Sequence, residues 1–444
     1  MDKEKEKAAI SEKLVEARKL VGRMHPDGQE DRKRNDFQRD YARILYSAAF
    51  RRLQGKMQML GIDNTSFYRN RLTHSLEVSQ VARSICNRLE LNQYENGEMP
   101  KDSLPVFWNS DELYMIEAIS LAHDIGNPPF GHAGEAVLNN IAEDFGGFEG
   151  NAQTFRIVTK LEKKYPNIDG LNLTKRTLLG LVKHFHKNSF RTNKFLYDND
   201  YCTVRKILNE AQIKLKDGEK TIDCAVMDLA DEIAYGAHDL EDALQQKYIN
   251  ADDLMYLFDK EQQNPEILKS FTEEERKSAY DILYNLIKKA KEKANSEIRG
   301  DSDDMFDTIF RKELCSEIVD TLINDVGVIE KENNLGFRTL GALCAGLKKL
   351  LFNAIKNDSE MILLYERQGK TIIEGLYEVY SDKKFNDKNC LLPTSYRLYE
   401  TEYERKRMII DYISGMMDTF AISQYEKYYG SESLDGIYNK NKRH

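Results

Sequence analysis

Four side chains able to bind a metal or move a proton fall within residues 121–135, LAHDIGNPPFGHAGE. His123 and Asp124 are adjacent, and His132 and Glu135 follow at a spacing of three. Imidazole titrates near neutral pH, and imidazole with carboxylate makes a mixed ligand set for divalent cations. Leu113, Ile116, Ser120 and His123 share one face at helical spacing, which predicts a helix ending at His123. Gly126, Asn127, Pro128 and Pro129 then forbid its continuation. A plainer reading is a helix cap with ordinary surface histidines. The adjacent His-Asp pair, the stiff turn and the second histidine together favour a metal or acid–base site.

Such a site needs other elements to complete it. Arg71 to Glu90 predicts a helix in which His74, Val78, Val81 and Ile85 lie on the inward stripe. Taken alone, His74 would more often be a hydrogen-bonded core residue. Ile222 to Ala243 predicts a second helix, buried through Ile222, Val226, Leu229, Ile233 and Leu240. On another of its faces Asp231, Tyr235 and Asp239 recur at i, i+4 and i+8, flanked by Asp228 and Asp242. Like charges at i,i+4 cost an isolated helix roughly 0.2–0.5 kcal/mol per pair. No Lys or Arg occurs from Thr221 to Gln245, so a metal ion or basic groups from elsewhere must balance this face. His74, His123, Asp124 and an acid of that face form a nitrogen and oxygen set suited to a divalent cation.

The 444 residues include few prolines (8) and glycines (25), which favours an all-α chain with a sizeable core. A net charge of −9 argues against wholesale nucleic-acid coating. Arg39, Arg43, Arg51, Arg52 and Arg69 cluster in one stretch, ordinarily a solvated face. The six cysteines are scattered without a CxxC pair, and the charged N-terminus lacks the apolar core of a signal peptide. No apolar run approaches a membrane span. A cytoplasmic, reduced location is expected, with no membrane partner. Residues 1–35 read as a charged segment with a loop from Arg18 to Asn35. Residues 61–70 read as a polar loop and 300–304 as a linker. Further helices are predicted from about Asn151 toward Lys164 and over 171–187, the latter ending in Lys183, His184 and His186.

FRRLQGKMQ, RLTHSLEVSQVAR, LAHDIGNPPFGHAGE, GGFEGNAQTFRIV, TLLGLVKH, DLADEIAYGAHDLEDA and DYISGMMDTFA occur in this order. Together they resemble the deoxyguanosine-triphosphate triphosphohydrolase family, and its broader deoxynucleoside-triphosphatase relatives, within the HD superfamily. The likeness spans about 36–424, with few motifs between 255 and 400. It implies an HD-domain helical core over 36–250 and a helical C-terminal region over 251–444 that completes the nucleotide pocket and makes oligomer contacts. His74, His123, Asp124 and Asp231 would hold the metal, Mg²⁺ or Mn²⁺ first, with Fe, Co, Ni or Zn as alternatives. Gln58, Tyr235 and Asp239 would contact the deoxyribose, and Arg71 and Lys183 the phosphates. His132 would be the acid for the leaving 5′-oxygen, oriented by Glu135, which would also raise its pKa. The implied reaction converts dGTP, or several dNTPs, to deoxynucleoside and tripolyphosphate. The resemblance further implies a homo-oligomer, a hexamer by preference, with dNTPs as allosteric activators. The chain departs from the family at His184-Phe185 and at Thr419. Two other readings are a different HD phosphohydrolase and a non-hydrolytic protein that senses nucleotides or binds single-stranded DNA.

Overall fold

The computed structural model describes residues 3–26, 33–58, 69–94, 97–188, 193–297, 303–358, 360–431 and 433–434. The predicted loop over 61–70 and linker over 300–304 lie largely outside them. Among the described residues the chain is all-α apart from one short antiparallel hairpin, Val326–Ile329 with Asn334–Phe337. It forms two compact units.

One unit takes Met1–Lys19, Leu76–Ser120 and Thr221–Ser359. Its centre is the helix Ile222–Gln245, on which the helices Asp303–Asp325, Gly341–Asp358 and Lys3–Ala17 pack. Thr221 caps that helix by accepting the Cys224 N–H. Gly236 permits the close approach of Gly341–Asp358, because a Cβ there would stand 3.3 Å from the Leu347 Cβ. The charged N-terminal segment is helical over Lys3–Ala17, where Ile10, Leu14 and Ala17 form a buried stripe among its charges. Its buried Glu6 accepts the Val328 N–H at 3.0 Å and pairs with Arg338 at 2.7 Å, pinning the hairpin. Trp108 Nε1 donates to the buried Asp223 at 2.9 Å.

The other unit takes Leu20–Ser75, Leu121–Lys220 and Glu360–His444. Its main core joins Phe130, Val137 and Leu138 to Ile372, Ile373, Leu376, Ile409, Ile410 and Ile413. These come from the turn and helix Gly131–Ile141 and from the helices Glu360–Ser381 and Glu402–Ser414. The helix predicted from Asn151 is α-helical over Gly150–Arg156 and a π-turn over Ile157–Leu161. Arg156 forks onto Asp411 with contacts of 2.6 to 3.0 Å, and Gln153 donates to the same carboxylate. The helix predicted over 171–187 shrinks to Lys175–Gly180. Upstream, Arg23 and Arg43 take the Asn172 carbonyl, and the buried Asp40 accepts the Thr174 N–H and the Thr177 hydroxyl. Those long-range bonds hold residues 171–174 out of the helix.

Candidate functional site

The LAHDIGNPPFGHAGE stretch shows how tertiary contacts shape a turn. The helix Ser110–Ala122 ends one residue before His123. Thr154 Oγ1 donates to the His123 carbonyl at 3.0 Å and accepts the Gly126 N–H at 3.0 Å. A Cβ on Gly126 would lie 2.1 Å from the Gly150 carbonyl oxygen and 2.2 Å from the Thr154 nitrogen, so the turn needs glycine there. Past the two prolines, Phe130 (φ 62°) and Gly131 (φ 54°) are left-handed, an unfavourable conformation for a bulky aromatic residue. Asp418 helps hold it: Oδ1 accepts the Phe130 N–H at 3.0 Å, and Oδ2 accepts the Met57 N–H and the Tyr365 hydroxyl at 3.0 and 2.7 Å. The helix Gly131–Ile141 then starts, carrying His132 and Glu135 in its first turns.

On the near side of the turn, His74 and His123 are both buried. Their ring centroids lie 5.6 Å apart, with planes at 58°. Asp124 Oδ1 stands 3.5 Å from His123 Nε2, and Asp124 Oδ2 accepts from Arg71 at 2.6 Å. Arg71 opens the helix Arg71–Leu91, and His74 stands one turn later. Two imidazoles in contact beside a carboxylate, in a buried corner of this unit, are the donor chemistry a divalent cation takes. The fit to a metal is therefore good. Gln58 is half-buried just after Met57, whose backbone bridges Asn70. Lys183 is half-buried in the turn after Lys175–Gly180, with its N–H on the Leu181 carbonyl.

On the far side, His132 Nδ1 faces Glu135 Oε2 at 3.4 Å, with the imidazole largely exposed. Glu135 Oε1 accepts the Gly150 N–H at 3.0 Å and meets Lys194 Nζ at 3.3 Å. Burial favours the neutral acid at Glu135. The His132 contact, the Lys194 charge and the Gly150 N–H outweigh it and pull the carboxyl down to about 2. Lys194 is in turn paired at 2.8 Å with the buried Glu149, which also caps Gly150–Arg156 through the Ala152 N–H.

In the other unit, Asp231, Tyr235 and Asp239 lie along Ile222–Gln245 as the spacing predicted. Asp231 and Tyr235 are partly exposed, and Asp239 is buried. Lys348 Nζ sits 5.4 Å from the Tyr235 ring centroid and 3.8 Å from Glu232. A cation from Gly341–Asp358 thus sits beside the acidic helix, as the charge imbalance required.

Lys56 and Asp418 received no role in the sequence reading, although both sit inside matched motifs. Lys56 is buried and donates to the carbonyls of Asn127 and, at 2.8 Å, Ser414. Burial, helped by the nearby Arg52 charge, lowers its pKa to about 7. Burial raises the Asp418 carboxyl against the pull of its hydrogen bonds. A lysine within FRRLQGKMQ and an acid within SGMMDTFA were visible, but no spacing rule joins two residues 362 positions apart.

Comparison with known proteins defines the class first. Residues 71–236 match the HD domain, and residues 338–427 match the phosphohydrolase-associated domain. The chain is 45% identical to deoxyguanosinetriphosphate triphosphohydrolase-like protein 2 of Vibrio cholerae, over 94% of both chains. It is 33% identical to the deoxyguanosinetriphosphate triphosphohydrolase-like protein of Actinobacillus succinogenes over 88% of this chain and 93% of that one. A Deinococcus radiodurans relative, also a triphosphohydrolase-like protein 2, is 33% identical over 95% and 97%. The chain belongs to the deoxyguanosinetriphosphate triphosphohydrolase-like family of HD-domain phosphohydrolases. No helix among the described residues is long and apolar enough to cross a membrane.

Proposed function

We propose that this chain hydrolyses deoxynucleoside triphosphates to deoxynucleoside and tripolyphosphate with a divalent metal, Mg²⁺ or Mn²⁺ first. The observation that carries the reading is the split made by the Pro-Pro turn: the His74, His123 and Asp124 corner lies before it, and the His132–Glu135 pair after it. Asp231, from the acidic helix face, is the fourth ligand in this reading beside His74, His123 and Asp124, since a carboxylate completes a mixed nitrogen and oxygen set. The metal, when bound, supplies charge to polarise the phosphate and favours ionisation of an attacking water.

The protein's own groups divide the remaining work. His132 gives its proton to the departing 5′-oxygen, because an alkoxide is a poor leaving group without an acid. Glu135, anionic at neutral pH, faces His132 Nδ1 at 3.4 Å and orients the ring. Arg71 holds Asp124 and brings its guanidinium charge to the phosphate oxygens, and Lys183 serves the same end as a point charge. Tyr235 packs against C2′ of the sugar and disfavours a 2′-hydroxyl. Asp239 and Gln58 take the 3′-hydroxyl, since a buried polar group left unpaired is costly and therefore selective. A homo-oligomer activated by dNTPs completes the proposal.

The purified chain, given Mn²⁺ or Mg²⁺ and each dNTP singly and in pairs, should release deoxynucleoside and tripolyphosphate. Release of monophosphate and pyrophosphate instead would overturn the cleavage site. No release from any dNTP or pair would overturn the reading as a hydrolase and favour a nucleotide sensor.

A further inference from the structure

Glu135 faces an imidazole and an ammonium at once. Its Oε2 faces His132 Nδ1 at 3.4 Å, long for a hydrogen bond, while Oε1 lies 3.3 Å from Lys194 Nζ. Lys194 comes from the segment before the helix Asp198–Glu210, and Glu149 anchors it at 2.8 Å from the start of another helix. Glu149 is itself fixed, accepting from Ala152 N–H and Asn151 Nδ2, both at 2.7 Å. Other charges near the helix start are Arg71, whose Nη2 lies 3.5 Å from a Cβ placed on Gly131, and Asp418 on the Phe130 N–H. Lys194 is not a residue the matched motifs pointed to.

We propose that Lys194, anchored by Glu149, is a positioning residue that sets how strongly His132 acts as an acid, by sharing Glu135 with it. A carboxylate facing imidazole alone would hold the imidazolium proton tightly and make His132 a reluctant donor. A second cation on the same carboxylate weakens that hold and also repels the imidazolium charge. Glu149 limits the effect by drawing Lys194 away from Glu135. Glu135, Lys194 and Glu149 alternate in sign beyond the His132 ring, and a change at the far end of this ladder reaches His132 with predictable direction. The link to turnover rests on the dNTP hydrolysis reading; the ladder's effect on His132 does not.

The test uses the full chain. The ring protons of His132, assigned among the eight histidines by loss in His132→Ala, are titrated by NMR. Lys194→Met should move the midpoint upward by about one pH unit, and Lys194→Arg should leave it in place. Glu149→Gln, which keeps an acceptor for the Ala152 N–H, should move it downward. In turnover, Lys194→Met should carry the basic limb of the kcat profile upward by the same amount and lower the plateau several-fold, with KM little changed. An unmoved midpoint in both Lys194→Met and Glu149→Gln would overturn the proposal. So would a raised KM with an unmoved limb, which would make Lys194 a substrate contact. A wild-type chain that turns over no dNTP while its His132 midpoint still responds would overturn the function reading and leave the ladder standing.

Discussion

Replacing Lys56 with methionine should reverse its effect on stability between neutral and alkaline pH. Lys56 is buried and gives hydrogen bonds to two carbonyls, Asn127 and Ser414. A neutral amine has two N–H groups, one for each of these carbonyls. The fall in its pKa from 10.5 to about 7, chiefly through burial, corresponds to about 5 kcal/mol of preference for the neutral form. Between these values the unfolded chain binds a proton that the folded chain binds less, so this group's contribution to stability rises with pH. Above pH 10.5 the cost of charging vanishes. Wild type should then exceed Lys56→Met by about 1–3 kcal/mol per carbonyl left unsatisfied in the variant. Near pH 7 the cost of charging offsets that advantage, and the variant should equal or exceed wild type. Urea unfolding of both proteins at pH 7, 8.5 and 10.5 gives the difference directly, and other titrations common to both cancel. A gap that stays constant across this range would refute the assignment of a neutral buried amine.

Four further perturbations test other parts of the site. Glu135, held at about 2 against its usual 4.5, contributes stability that is present above pH 4.5 and is lost as pH falls toward 2. Glu135→Gln should therefore flatten acid unfolding in that window, by up to about 3 kcal/mol, with the variants converging at low pH. Gly126→Ala places a methyl 2.1 Å from the Gly150 carbonyl and should cost about 3 kcal/mol or more, read as a fall in Tm. His132→Ala should retain metal, measured by elemental analysis after gel filtration, yet lose about 10²- to 10⁴-fold in kcat; Asp231→Asn should lose the metal as well.

Periodicity and composition determined a good deal here by themselves. The all-α class followed from scarce Gly and Pro and from recurring apolar stripes, because helical burial leaves a 3.6-residue signature. His74 on an inward stripe, the stop after His123, and Asp231, Tyr235 and Asp239 in one row were all local facts of spacing. The structure bears out those placements. The N-terminal helix escaped notice because a few apolar residues were hidden among many charges. The shortened helix at Lys175–Gly180 had good helical propensity, which distant side chains overrode by taking the backbone groups upstream of it.

What the tertiary structure alone decided is the set of bonds that make the turn rigid. Thr154 clamps the exit from His123, Lys56 takes the Asn127 carbonyl, and Asp418 holds the left-handed Phe130. Lys194 and Glu149 extend the His132–Glu135 pair into a ladder. Each of these contacts joins residues far apart in the chain, and sequence spacing carries no record of them. A local pattern can state which groups can react; only the fold fixes which carboxylate faces which cation, and hence how strongly a histidine holds its proton.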